Sequence, residues 1–363
     1  MPDAPSFRIL DAALNRATEG LRVVEDYARF VLDDAHLSRH LKELRHELAA
    51  AASEAIPLAD RHAMRDTPGD VGTAIATDSE AARTDARHVC RANCERVKQS
   101  LRTLEEFGKC LDLPPADGSV APESFALQME SLRYRFYGIE AALTRTSQPT
   151  LEGVRLCVLV DGRDSLEEFD SLIGELTAAG VGMIQLRDKQ LDDRSLLIRA
   201  SLLARGGSVP RSGPRPVTII NDRPDIAAIA KADGVHLGQD DLPLAEARRI
   251  LGPGKLIGVS THSIEQARAA VLAGADYLGA GPTFPSRTKS FDEFPGLDYL
   301  RQVAADIRLP TFAIGGIDAT NIDAVLNTGI GRVAISSAVT GAVDPAAAVR
   351  AFQAQLAARA TDI

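Results

Sequence analysis

Apolar positions along this chain follow two different periods, and the change falls close to residue 150. In the first part Leu10, Leu14, Ala17, Leu21, Val24, Ala28 and Val31 alternate steps of four and three, the buried stripe of an amphipathic helix. The same offsets return 80 positions later at Cys90, Cys94, Val97, Leu101, Leu104, Gly108 and Leu111. Polar positions repeat with them: Arg16, Arg22 and Glu25 are answered by Arg96, Arg102 and Glu105. The spacing predicts two equivalent packed helices, with Cys90 and Cys94 as core residues rather than metal ligands, since a thiol packs as a small hydrophobe. Arg22 with Glu25, and Arg102 with Glu105, read as ordinary intrahelical ion pairs. Further helices are predicted around Leu37 to Ala55 and Phe125 to Leu143, which makes an antiparallel bundle, and the polar stretch from Arg61 to Gly72 reads as a loop.

Beyond the linker Ser147 to Gly153 the pattern becomes short apolar runs separated by helix-length segments. Eight runs stand out: Leu156 to Val160, Met183 to Leu186, Val217 to Ile220, Gly234 to Leu237, Leu256 to Val259, Tyr277 to Ala280, Thr311 to Ile314 and Arg332 to Ile335. Strand and helix alternating in this way predict a parallel sheet with crossover helices, and eight repeats fit a (β/α)8 TIM barrel. A doubly wound open sheet is the runner-up. The expected fold class is therefore α/β, an all-α helical bundle over residues 1–148 followed by a TIM barrel over 154–363.

Composition narrows the partners. The 363 residues carry a formal net charge of -9, which argues against nonspecific attraction to a nucleic-acid backbone. No apolar leader or membrane-length run is visible, so a cytoplasmic protein with no membrane partner is expected. Four cysteines in a chain of this length fit reduced thiols better than a disulfide framework. Oligomeric state is left open, a homo-oligomer included.

Candidate chemistry gathers after the strands, where barrels place their active sites. Asn221-Asp222-Arg223 follows the third run and Gly238-Gln239-Asp240-Asp241 the fourth, so Asp222 and Asp241 can converge on one divalent cation. Mg²⁺ takes one or two carboxylates and leaves its other positions to water and phosphate oxygens, which suits a magnesium diphosphate. Gln185, Arg187 and Lys189 alternate to one side after the second run. Ser260-Thr261-His262 follows the fifth, and the sixth leads into Ser286-Arg287-Thr288-Lys289, a set of anion-binding groups. Gly315-Gly316 and Ser336-Ser337 end the last two strands, where barrels bind phosphate through backbone N–H groups. A transferase acting on a magnesium diphosphate beside a phosphate monoester follows.

In these blocks, with Gly234 to Leu237, Gly258-Val259 and Gly279 to Pro285, the chain resembles the thiamine phosphate synthase family from about Arg155 to its end. The resemblance implies condensation of 4-amino-2-methyl-5-hydroxymethylpyrimidine diphosphate with 4-methyl-5-hydroxyethylthiazole phosphate to thiamine phosphate and diphosphate. It also implies that Gln185, Arg187, Lys189, Asn221, Ser260 and Lys289 hold the pyrimidine diphosphate and that Asp222 and Asp241 ligate Mg²⁺. Ser286, Arg287, Thr288, Gly316, Ser336 and Ser337 are implied for the thiazole phosphate. Asp188 stands where glutamate is usual, and Ser286 where threonine is common. Three alternatives remain: a thiazole tautomerase-like barrel, a sugar-phosphate isomerase or epimerase, and a non-catalytic ligand-sensing relative. The segment from Asn15 to Phe30 resembles the amino-terminal domain fused to such synthases in some bacteria. That domain is read as a dimerisation or scaffold element, or as a pyrimidine phosphate kinase, for which residues 1–150 show no Gly-rich phosphate loop.

Overall fold

The structure is a computed structural model that describes residues 4–65, 83–111, 124–147, 151–207, 215–285 and 294–359. It divides into two compact units, Met1–Ser147 and Gln148–Ile363. Among the described residues no helix is long and apolar enough to cross a membrane.

The first unit contains helices α1 (Ala4–Phe30), α2 (Ala35–Ala55), α3 (Leu58–Met64), α4 (Ala86–Gly108) and α5 (Phe125–Thr146). Side-chain caps start three of them: Asp34 accepts from Leu37 N, Asp85 from His88 N and Ser124 from Leu127 N. The repeat is real as packing, because α1 and α4 bury Leu10, Leu14, Ala17, Leu21, Val24 and Ala28, and Cys90, Cys94, Val97, Leu101, Leu104 and Gly108. Both stripes stop one step short of the prediction. Val31 lies beyond the end of α1 and is exposed, and Leu111 lies beyond α4 and is half-buried.

Two further expectations change. Residues Arg61 to Met64 finish the short helix α3 rather than open a loop, while 66–72 fall outside the described residues. The repeated glutamates are buried and reach across to another helix. Glu25 accepts from Arg45 Nε of α2 at 3.1 Å, and Glu105 from Arg133 Nε of α5 at 2.8 Å. Arg102 does pair with Glu105 as predicted, but from the solvent side. A carboxylate in a bundle core is tolerated when an arginine neutralises it and satisfies its lone pairs.

The second unit is a closed barrel of eight parallel strands, each paired with its sequence neighbours and β8 with β1. The strands are β1 (Leu156–Val160), β2 (Met183–Leu186), β3 (Val217–Asn221), β4 (Gly234–Leu237), β5 (Leu256–Thr261), β6 (Tyr277–Ala280), β7 (Thr311–Ile314) and β8 (Val333–Ile335). Around them run α6 (Leu166–Ala178), α7 (Asp193–Arg205), α8 (Pro224–Ala230), α9 (Leu244–Leu251), α10 (Ile264–Ala273), α11 (Gly296–Asp306), α12 (Ile322–Leu326), α13 (Ser337–Thr340) and α14 (Pro345–Ala358). Closure excludes the open-sheet alternative. Successive strand residues point to opposite faces, so one set fills the barrel and the other meets the helices. Cys157, Leu159, Met183, Ile219, Tyr277, Phe312 and Ala334 pack together inside.

Candidate active site

Carrying the inward alternation one step past the apolar layers fixes the floor of the barrel mouth. Gln185 stands two residues after Met183, and Asn221 two after Ile219; by the same count His236 follows Gly234 and Ser260 follows Gly258. Register brings them side by side, with Asn221 opposite His236, His236 opposite Gly258 and Ser260 opposite Gly279. Gln185 and His236 are buried, while Asn221 and Ser260 are half-buried and closer to the rim. Arg187 continues the β2 alternation, its backbone N bonded to Val160 O at 2.8 Å.

Asp222 leaves β3 with φ 61°, a left-handed conformation that few non-glycine residues adopt and that collects at functional sites. Its backbone N donates to His236 O at 2.8 Å, which holds the turn. From β4, Asp241 folds back so that Oδ2 accepts from Gly238 N at 2.6 Å. A Cβ on residue 238 would lie 2.8 Å from that oxygen, so glycine allows the approach. The two carboxyl groups meet. Burial pushes the Asp222 carboxyl above its ordinary range, and a hydrogen bond with Asp241 and the Asp241 charge push the same way, against the pull of Lys189. Lys189 Nζ stands 3.2 Å from Asp222 Oδ2 and is itself exposed.

Two facing carboxylates, with the charge of Asp241 pushing the Asp222 carboxyl upward, are a poor structural pair and a good cation site. The donors are all oxygen, which suits a hard divalent ion. Among the described residues no group of three or more His, Cys, Asp or Glu is placed to hold a metal. A cation here would therefore keep open positions for water and ligand oxygens, the habit of Mg²⁺ rather than of a closed structural site. The residues present fit that ion.

The opposite side of the mouth is built by the last strands. Gly315 and Gly316 have φ 98° and 65°, and a Cβ on Gly316 would sit 2.8 Å from both Phe284 O and Pro285 O. Only glycine lets the turn after β7 press against the turn after β6. Ser336 and Ser337 are exposed; Ser336 Oγ donates to Leu159 O at 3.2 Å across the seam between β8 and β1, and Ser337 opens the single turn of α13. Ser286, Arg287, Thr288 and Lys289 lie outside the described residues.

Other polar residues near the mouth have partners within the protein. Asp188 accepts from Gly162 N, Gln190 N and Leu191 N, and these bonds hold its carboxyl below the usual range despite burial. Arg223 pairs with Asp193 and Asp225. His262 Nδ1 bonds Gly281 O, a loop-to-loop tie. The residue that the sequence reading passed over is His236. It is fully buried, which lowers its pKa to about 4, and its ring bonds Ser260 Oγ at 2.9 Å and Tyr277 OH at 3.1 Å. A polar residue two positions after Gly234 on an inward-facing strand was the available signal.

Comparison with known proteins shows the family. The family model described as thiamine monophosphate synthase matches residues 156–339, and that of the ThiD2 family matches residues 8–142. A thiamine-phosphate synthase of Rhodopirellula baltica is 44% identical over 353 residues, covering 93% of this chain and 88% of that protein. One from Synechocystis sp. is 38% identical, covering 96% of each. The solved thiamine phosphate pyrophosphorylase of Pyrococcus furiosus superposes with a TM-score of 0.50 at 33% identity, covering 57% of this chain and 96% of that one. On these matches, over nearly its full length, the chain belongs to the thiamine monophosphate synthase family of transferases, with an amino-terminal ThiD2 domain.

Proposed function

We propose that the mouth of the barrel performs the family's condensation with the following division of labour, within a synthase domain spanning 154–363. Gln185, Arg187, Lys189, Asn221, Ser260 and Lys289 hold the pyrimidine diphosphate, and Asp222 and Asp241 hold Mg²⁺. Ser286, Arg287, Thr288, Gly316, Ser336 and Ser337 hold the thiazole phosphate. The observation that carries this is the meeting of Asp222 and Asp241, with Lys189 on the Asp222 carboxylate.

In the reaction the C–O bond between the pyrimidine methylene and the diphosphate breaks, and the pair of electrons leaves with the diphosphate. Arg187, Lys189 and Lys289 face charge that grows on the leaving oxygens, so they stabilise the transition state more than the ground state. Bound Mg²⁺ supplies opposing charge to the same oxygens. The thiazole nitrogen then forms the new bond to the methylene, a step in which the protein supplies position and excludes water. No side-chain nucleophile takes part.

For residues 1–148 a structural role is the better reading, because the glutamates that the repeat shares are already taken up in ion pairs between helices. The test is an assay of thiamine phosphate from both purified substrates with and without Mg²⁺, run beside an assay for ATP-dependent phosphorylation of the pyrimidine monophosphate. Mg²⁺-dependent product and no phosphorylation are expected. Condensation that persists in excess chelator would overturn the metal assignment, and phosphorylation would overturn the structural role of the helices.

A further inference from the structure

The inside of the barrel holds one polar ring stack that the division of labour above does not use. Tyr277 and His236 stand on β6 and β4 with ring centroids 5.5 Å apart, both fully buried. Two inward glycines make room for them. A Cβ on Gly258 would fall 2.0 Å from the Tyr277 ring, and one on Gly279 would fall 3.0 Å from the His236 ring. Barrel layers are ordinarily filled by branched apolar side chains, so clearing two strands for a phenol and an imidazole needs a reason.

Hydrogen-bond bookkeeping supplies it. Tyr277 packs in one buried cluster with Cys157, Leu159, Met183, Ile219 and Phe312, and the hydrogen-bond partner of its hydroxyl among the described residues is His236 Nδ1 at 3.1 Å. A buried hydroxyl gives its proton to an available acceptor, so Nδ1 is the unprotonated nitrogen. The ring proton then sits on Nε2 and is donated to Ser260 Oγ at 2.9 Å. With one Ser260 lone pair taken, the serine's own proton is left to point outward.

We propose that Tyr277 and His236 form a fixed donor chain that orients the Ser260 hydroxyl as a hydrogen-bond donor to the pyrimidine diphosphate. Both are positioning residues, since they act through Ser260. The chain also ties the serine to the metal loop, because the carbonyl of His236 accepts the backbone N of Asp222 at 2.8 Å. The inference rests on Ser260 contacting the pyrimidine substrate.

Nitrogen-15 spectra of the full chain read the tautomer without substrate. A protonated Nε2 and a bare Nδ1 on His236 are expected, and the reverse tautomer would overturn the chain. Kinetics test its use. Tyr277→Phe should lower kcat/KM for the pyrimidine diphosphate roughly tenfold, about the worth of one oriented hydrogen bond, and leave KM for the thiazole phosphate unchanged. In a Ser260→Ala background the same substitution should change little, since the hydroxyl it orients is gone. Equal losses in both backgrounds would mark Tyr277 as mere packing and overturn the relay. A silent Ser260→Ala would instead remove the substrate contact on which the relay depends, a failure that the tautomer spectrum keeps separate.

Discussion

The two ends of the barrel use the same residue types in opposite ways. At the end where strands begin, Asp233 is gripped by Arg215 and by Thr218 N and Oγ, and Asp276 by Arg248 and Ile257 N. At the end where strands finish, Asp222 and Asp241 face each other. β4 shows the contrast along one strand, with Asp233 before its first residue and Asp241 four residues after its last. Paired carboxylates lock neighbouring loops, whereas the two opposed carboxylates, with the exposed Lys189 on Asp222, leave room for a further positive charge. In barrels the first condition belongs to stability and the second to chemistry.

Removing an opposed carboxylate should therefore cost turnover and not stability. Asp222→Ala is expected to lower kcat by roughly two to three orders of magnitude, the scale of losing one preorganised electrostatic contact, with thermal melting unchanged or raised. A large drop in melting temperature would make Asp222 a structural residue.

Removing a paired carboxylate should do the reverse. The helical unit gives the strongest case, because Glu105 and Arg133 are 5% and 7% exposed. Glu105→Ala should destabilise that unit by about 3 kcal/mol in denaturant melts, since it strands a buried guanidinium. Arg102→Ala, on the solvent side of the same glutamate, should cost less than about 1 kcal/mol. In the barrel, Asp276→Ala should cost about 2 kcal/mol of stability while kcat stays near its original value. Loss of turnover without loss of stability would erase the distinction between the two ends.

The smallest effect is a pH dependence. Burial pushes the Asp233 carboxyl up, but Arg215 and the Thr218 donors outweigh it and leave it below its ordinary value of 3.8. The sign follows from linkage: a depressed carboxyl stabilises the fold above its unfolded pKa, and that contribution fades as pH falls through the lower folded value. Denaturation monitored below about pH 4 should show this loss, and Asp233→Asn should flatten it.

Much of this was legible in the chain because period-2 and period-3.6 patterns report direction directly. Six helical-stripe positions in each repeat, and all eight strands, appear where spacing puts them, save that β8 begins at Val333 rather than Arg332; β3 and β5 run on through Asn221 and Thr261, whose polarity hid the continuation. Convergence of Asp222 and Asp241 was readable from their place after adjacent strands. What spacing conceals is partnership between elements. Glu25 looks like a neighbour of Arg22 one turn away, yet bonds Arg45 of α2, because a helix pattern says which residues are buried and not what meets them. His236 was hidden for a related reason: its partners Ser260 and Tyr277 stand on the next two strands, and the pattern along one strand does not say which inward side chains touch across the sheet.

The most direct test of the opposed pair is Mn²⁺ binding, read by electron paramagnetic resonance in the presence of inorganic diphosphate, for the original chain and for Asp222→Asn combined with Asp241→Asn. Binding weakened more than about tenfold in the double variant, with the fold intact, is the expected result for a hard cation that loses both carboxylates. Equal binding in the two proteins would contradict the claim that these two side chains exist to hold a metal.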